Sequence, residues 1–237
     1  MEAVNTSALT ERRRQQRNLS RQRLLLPLLP IRLDGPLSAS RNSIETYISE
    51  RFNVSYQAKV THFLPYLLST QINGALSAAV GFQPANSITP LFLENYLDDA
   101  IEAVIAELMS QPIARNKIVE IGNLTSSRRG SSQTLFILIV AILEQAGFEW
   151  VVFTATKHVQ QILSKLNLDT LVLCDADPQR LSDHGDSWGS YYNNQPKVLA
   201  GNLDSAIDVL RTNDVINFML ENYRNTINDM ARQLKIS

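Results

Sequence analysis

Cysteine is nearly missing from this chain. Cys174 is the only one in 237 residues, which excludes an intramolecular disulfide and a thiolate zinc cluster. Its neighbours in "LVLC" are apolar, so it reads as a buried structural thiol with nothing beside it to lower its pKa. Histidine is scarce as well: His62, His158 and His184 have no metal-ligand spacing, and no metal is expected. No apolar run reaches the roughly 20 residues that a spanning helix needs, so any membrane contact is peripheral. Net charge is almost absent, with 22 Lys and Arg against 23 Asp and Glu. No global field therefore draws the chain to nucleic acid, and no nucleic-acid partner is expected.

What charge there is sits unevenly. Arg12, Arg13, Arg14, Arg17, Arg21, Arg23 and Arg32 face only Glu2 and Glu11 in the first segment, which makes a basic arm of solvated arginines. The "LLLPLLP" that follows imitates a signal peptide, but Pro27 and Pro30 cut it short and no small-residue cleavage site follows. It is not read as a secretory signal, and the expected location is cytoplasmic, with secretion by another route left open. "DGPLSASRNS" reads as a linker. The chain divides into an arm and linker over 1–43, a domain over 44–203 and a C-terminal helical extension over 204–237.

Ser43 is the expected N-cap of a helix from Ile44 to Phe52. "AKVTHFLPYLLSTQ", "GALSAAVGFQP" and "SITPLFLENYL" read as a meander of strands with Asn73-Gly74 as its tight turn. "LDDAIEAVIAELM" has helical spacing, with Asp98 and Asp99 near its positive end. Then come strand "KIVEIGNL", loop "TSSRRGSS", a helix from about Gln133 to Gln145 ended by Gly147, strand "FEWVVFTAT", helix "KHVQQILSKLNL" and strand "TLVLC". A strand "KVLAGN" and one or two amphipathic helices over Leu203 to Ser237 complete the chain. The alternation gives an α/β (α+β) domain, a mixed central sheet flanked by helices.

The loop between the fourth strand and its helix draws attention first. A helix N-terminus offers unpaired N–H groups and partial positive charge. Gly130 lets backbone approach closely, Ser131 and Ser132 supply hydroxyls, and Arg128 and Arg129 supply planar donors suited to a pyrophosphate. The dipole gives only about 0.3–1 kcal/mol at an exposed site, so the arginines carry most of any grip on a polyanion. A Ser/Arg/Gly loop before a helix is more often an ordinary capped connection, and this one lacks the Lys of a P-loop and the repeated Gly of a Rossmann turn. Glu120 stands in the middle of an otherwise apolar strand, where it either finds a partner and a cavity or lies on a solvent-facing pleat beside Arg115 and Lys117. Gly122-Asn123 interrupts that strand, as a bulge with free amides would.

Strand, bulge, basic Gly loop, helix and next strand together resemble the acyl-CoA-binding core of the GNAT acyltransferase superfamily. "VEIGNL" resembles the Glu-x-x-Arg strand of acyl-homoserine-lactone synthases and long-chain N-acyl amino acid synthases, with Asn123 at the Arg position. Ser127 stands where the superfamily loop has Gln or Arg. A closer similarity, over about Tyr56 to Leu203, is to the thermostable hemolysin family of bacteria. It is carried by "KVTHFLPYLL", "PLFLENYLDDAIE", "IVEIGNLTSS", "FEWVVFTATKHVQQILSKLNL" and "WGSYYNNQPKVLAGNL".

The resemblance implies a GNAT-like fold and transfer of an acyl group from acyl-CoA, or from the phosphopantetheine of an acyl-carrier protein, to a small amine or amino acid. It implies that the backbone of Asn123, Leu124 and Thr125 pairs with a pantetheine arm and that Arg128 to Ser132 hold the pyrophosphate. Glu120 is then the general base, its pKa raised by burial. Thr154 and Lys157 sit where the fifth strand meets its helix, near the expected thioester. Tyr191 or Tyr192 is the candidate acid for the leaving thiolate, one of the two only, since neighbours on a strand point to opposite faces. His62, on a strand, is a further titratable candidate, though a lone His on a strand is more often a structural residue. Trp188 reads as packing. A competing expectation is a membrane-active cytolysin whose arm or C-terminal helices lie at a lipid interface, with the fold as scaffold.

Overall fold

Alternating apolar residues and tight turns organise the chain around one twisted sheet. The computed structural model describes residues 29–86, 88–128 and 130–236. Seven strands are hydrogen-bonded in the order β1-β2-β3-β4-β5-β7-β6: β1 (Ile31–Asp34), β2 (Tyr66–Ile72), β3 (Ala75–Pro84), β4 (Ile118–Ser126), β5 (Trp150–Ala155), β6 (Leu171–Asp175) and β7 (Lys197–Asn202). All neighbours are antiparallel except β4 and β5, which run parallel. The helices are α1 (Arg41–Tyr56), α2 (Ile101–Met109), α3 (Ser131–Ala146), α4 (Lys157–Lys165), α5 (Leu203–Arg211), α6 (Asp214–Asn222) and α7 (Arg224–Ile236).

Strand alternation sends side chains to two cores. On one face Val80, Phe82, Val119, Ile121, Val151 and Phe153 meet α3, whose residues Leu135 to Leu143 are all buried. A helix apolar all round must be covered all round. Here the sheet covers one side, while Ile207, Leu210, Leu220, Tyr223, Ile227 and Met230 from the α5–α7 region join the same core. The Tyr223 hydroxyl also accepts from the Leu29 N–H at 2.7 Å, tying the last helices to the first described residues. On the other face, Ile118, Trp150 and Val152 meet α2 and the 176–192 segment, and Leu67 and Ala79 meet α1.

Several expected elements change. Ile31 to Asp34, expected in the arm and linker, form the edge strand paired with β2. The first helix starts at Arg41, where Ser40 is the N-cap and Ser43 lies inside. "SITPLFLENYL" contains no strand among its described residues. Pro90 cannot donate to a ladder, and Phe92–Tyr96 coil into a 3-10 turn instead. The stretch before Tyr66 is irregular as well, held by Arg41, which donates to the Leu64 and Pro65 carbonyls. Asp98 and Asp99 precede α2 without entering it, Asp98 pairing with Arg180 at 2.6 Å. Three helices, rather than one or two, follow Asn202. Asn73 and Gly74, both at positive φ, turn β2 into β3 as read from the sequence.

Candidate active site

The parallel pair β4 and β5 is bonded only from Ile118↔Trp150 to Ile121↔Phe153. Beyond Ile121 the strands part, and β4 continues to Ser126 against β3 alone. The cause is local. Between Ala79↔Thr125 and Gly81↔Gly122, Asn123 and Leu124 together oppose the single residue Val80, which is a β-bulge. Asn123 takes φ +53° there, a conformation Asn tolerates better than most residues. Its side chain fixes the outcome: Oδ1 accepts from the Leu64 N–H at 3.0 Å and Nδ2 donates to the His62 carbonyl at 3.3 Å. Gly81 makes room, because a Cβ there would stand 2.8 Å from Asn123 Oδ1. Asn123, expected to offer only backbone, thus also clamps the 62–64 segment over the sheet.

A cavity of about 120 Å³ occupies the parting and reaches both sheet faces. Ile121, Phe136, Phe153 and Val159 line it from the α3 side, and Glu120, Phe92, Tyr96, Trp188, Tyr191 and Phe52 line it from the other. Glu120 is 4% exposed. Its carboxyl accepts from the backbone N–H groups of Phe92 (2.7 Å) and Leu93 (3.2 Å), the start of the 3-10 turn. Burial pushes its pKa up to about 8 against the pull of those two donors, and Glu94 adds to the rise. Of the two sequence readings, the buried one holds. Arg115, the suggested surface neighbour, instead bonds Glu94 at 2.7 Å and Glu102 at 2.6 Å, while Lys117 lies 3.4 Å from Glu149. Glu94 itself caps the 3-10 turn through the Leu91 N–H and α2 through the Ile101 N–H, so the lid over Glu120 is rigidly based.

The remaining candidates divide. Tyr191 and Tyr192 lie on a 3-10 turn, Tyr191–Asn194, rather than a strand. Tyr191 is 8% exposed and faces the cavity. Tyr192 turns away, its hydroxyl 2.6 Å from that of Tyr96, and burial pushes its pKa up to about 12. His62 is exposed on the irregular 57–65 stretch rather than on a strand, and its ring stacks on Phe92 at 5.6 Å on the cavity edge. Thr154 lines the cavity. Lys157 does not: it is exposed at the first position of α4, beside a separate surface groove with Asp175, Tyr192 and Lys197.

At the glycine loop, Gly130 takes φ +87° as the N-cap of α3, the Ser131 N–H reaches the Arg128 carbonyl at 3.2 Å, and Ser132 Oγ lies 2.5 Å from Ser126 Oγ. Arg128 is exposed, and Arg129 lies outside the described residues. Cys174 is half-buried against the Tyr96 carbonyl, and burial raises its pKa, in keeping with a structural thiol. Among the described residues no group of three or more His, Cys, Asp or Glu is placed to hold a metal ion.

Sequence reasoning missed most of the cavity wall. Phe52 and Tyr56 end α1, Phe92 and Tyr96 belong to the 3-10 turn, and Thr156 stands at the N-cap position of α4. Trp188, read as packing, also lines the cavity. One signal was available in part: Trp188 falls outside any helical or strand period, in "SWGSYY", whereas "ITPLFLENY" read as a strand and hid Phe92 and Tyr96.

A profile described as "Thermostable hemolysin" matches residues 35–207. The chain belongs to the thermostable hemolysin family. No curated protein matches this family member in sequence. Solved structures do match its fold. FeeM, an N-acyl amino acid synthase from uncultured soil microbes, is 6% identical with a TM-score of 0.51, covering 76% of this chain and 94% of that one. BjaI, a CoA-dependent acyl-homoserine lactone synthase solved with SAM and isopentyl-CoA, is 10% identical with a TM-score of 0.50, covering 81% of this chain and 98% of that one. The family member thus has the GNAT-like fold that its sequence resembles, a mixed sheet flanked by helices.

Proposed function

We propose that the protein is an acyltransferase, moving an acyl group from the thioester of CoA or an acyl-carrier protein to a small amine. The observation that carries this reading is the parting of β4 from β5 beyond Ile121 and Phe153, with the buried Glu120 carboxyl at its edge. Freed strand edges are a template for one more extended chain, and the amide-bearing pantetheine arm of such a thioester is one. The backbone of Asn123, Leu124 and Thr125 would receive it. Arg128, Gly130, Ser131 and Ser132, at the N-terminus of α3, would hold the diphosphate. Arg129 belongs to the same loop in sequence.

Chemically, an amine nitrogen attacks the carbonyl carbon and loses a proton, which Glu120 would take. Its pKa near 8 suits a base that must be free at mildly alkaline pH and still basic enough to work. A backbone N–H of the bulge would meet the oxygen on which charge develops. The C–S bond then breaks, and Tyr191, whose hydroxyl burial keeps protonated, is the group facing the cavity that would return a proton to sulfur. Tyr192 would act only in support, through its hydroxyl contact with Tyr96. The family name speaks of lysis, and an acylated apolar amine would be a surfactant-like product.

The test is calorimetry of the full chain with acetyl-CoA and with long-chain acyl-CoA. Binding of at least one is expected. Arg128→Ala should weaken it about tenfold, the loss of one charge-assisted contact of roughly 1.5 kcal/mol, with an unchanged melting temperature because the side chain is exposed. Absence of binding to every thioester would remove the proposal.

A further inference from the structure

The sheet face that carries Glu120 bears an unusual wall. His62 stacks on Phe92, Phe92 lies 5.8 Å from Trp188, and Trp188 lies 5.2 Å from Tyr191, ring centre to ring centre. The wall is continuous, and Glu120 joins it at Phe92, accepting from the Phe92 N–H. It offers one carboxyl, with the imidazole of His62 at its edge. Glu120 is the carboxyl that lines the cavity, Glu94 stands behind it, and the lining holds no Lys or Arg among the described residues. Two arginines that brace this face are committed elsewhere. Arg115 donates to Glu94, Glu102 and the Asn86 carbonyl, and Arg41 donates to the Leu64 and Pro65 carbonyls and pairs with Glu45 at 2.7 Å.

A carboxylate entering this space would meet a carboxyl and ring faces, with no lysine or arginine of the lining to receive it. The transfer step uses Glu120 ionised, and like charges brought together there in a desolvated site cost several kcal/mol, whereas an ammonium or amine gains from both the carboxylate and the faces of Trp and Tyr. Size adds a constraint. A cavity of about 120 Å³, part of it taken by the thioester, is smaller than the roughly 150 Å³ that holds one benzene ring, so the acceptor's body is limited to about one ring.

We infer that the acyl acceptor is a primary amine with an apolar body of about one aromatic ring and no carboxylate, bound with its nitrogen at Glu120 and its body against Phe92 and Trp188. This rests on the acyl-transfer reading above. The step balances without a redox partner. The amine nitrogen forms a C–N bond to the carbonyl carbon, the C–S bond breaks, and one proton passes from nitrogen to Glu120 while one is taken up by sulfur. The products are an amide and a free thiol.

The experiment uses the full chain with acetyl-CoA and hexanoyl-CoA as donors and two acceptor pairs that differ only by a carboxylate: phenethylamine with phenylalanine, and pentylamine with norleucine. Thiol release and product mass are read. Each amine is expected to exceed its amino acid in kcat/KM by at least about 30-fold, a conservative share of the like-charge penalty. Trp188→Ala should raise KM for phenethylamine about tenfold, within the range of an aromatic pair and its buried area, while leaving KM for the thioester within about twofold, and Trp188→Phe should restore most of it. Equal or better use of the amino acids overturns the acceptor assignment and leaves acyl transfer standing. The assignment is overturned in the same way if a thioester binds and none of the four acceptors releases thiol. If no thioester binds at all, both readings fall.

Discussion

Glu120 is held in a conflict that a measurement can expose. Burial favours its protonated form, while two backbone N–H groups favour the ion, and the balance leaves the native pKa above the ordinary glutamate value. For a carboxyl raised on folding, the extra stability is fully present below the ordinary value of about 4.3 and is lost as pH rises through about 8. The urea midpoint of the wild type should therefore fall between about pH 5 and pH 8.5, and Glu120→Gln should flatten that decline. The same variant should lower the rate of thiol release by about 10²–10⁴-fold and abolish the rise in kcat/KM near pH 8. A variant that kept the full rate would strip Glu120 of its role. Asn123 supports a second test at this scale. Asn123→Ala leaves the Leu64 N–H, on a buried residue, without its acceptor, so a loss of about 1–3 kcal/mol in urea unfolding is expected.

Among the elements, the 185–190 segment decides whether the aromatic wall exists. It docks on the end of α1: the Ser190 N–H donates to the Tyr56 carbonyl at 2.8 Å, and the Lys59 N–H donates to the Ser187 carbonyl at 2.6 Å. Gly189 makes the approach possible. At φ +54°, a Cβ there would stand 2.2 Å from the Tyr56 oxygen, which is backbone and has nowhere to go. Gly189→Ala should cost about 1–3 kcal/mol or more in unfolding free energy and red-shift tryptophan emission as Trp188 loses its neighbours, with Trp150 still buried in the sheet. An unchanged spectrum and midpoint would show that the segment docks by other contacts.

For the whole molecule, the last three helices are part of the fold rather than an appendage to it. Leu203, Ile207, Leu210, Leu220, Ile227 and Met230 are buried in the same core as α3. At roughly 1.5–3 kcal/mol for each buried side chain of this type, they account for on the order of 10–20 kcal/mol of gross burial, as large as the net stability of a typical domain. Ending the chain after Asn202 should therefore give a protein without a cooperative thermal transition, read by calorimetry. A truncated chain that melted cooperatively would instead show that α3 finds other cover.

Sequence alone determined the course of β4, the glycine loop and α3, because each rests on local rules: an apolar run of helical length, glycines where φ must be positive, and a carboxyl set among Val and Ile. It determined the parting of β4 from β5 in outline too, through Gly122-Asn123. Only the tertiary structure decided that Glu120 is covered rather than exposed, since the cover comes from Phe92 and Leu93, distant in sequence and read there as a strand. It also decided which tyrosine faces the cavity. Periodicity states which side of an element is apolar. It carries no information about which remote segment lies across that side, and the rings around Glu120 come from α1, three 3-10 turns and the loops beside them, brought together only when the sheet is closed over by its helices.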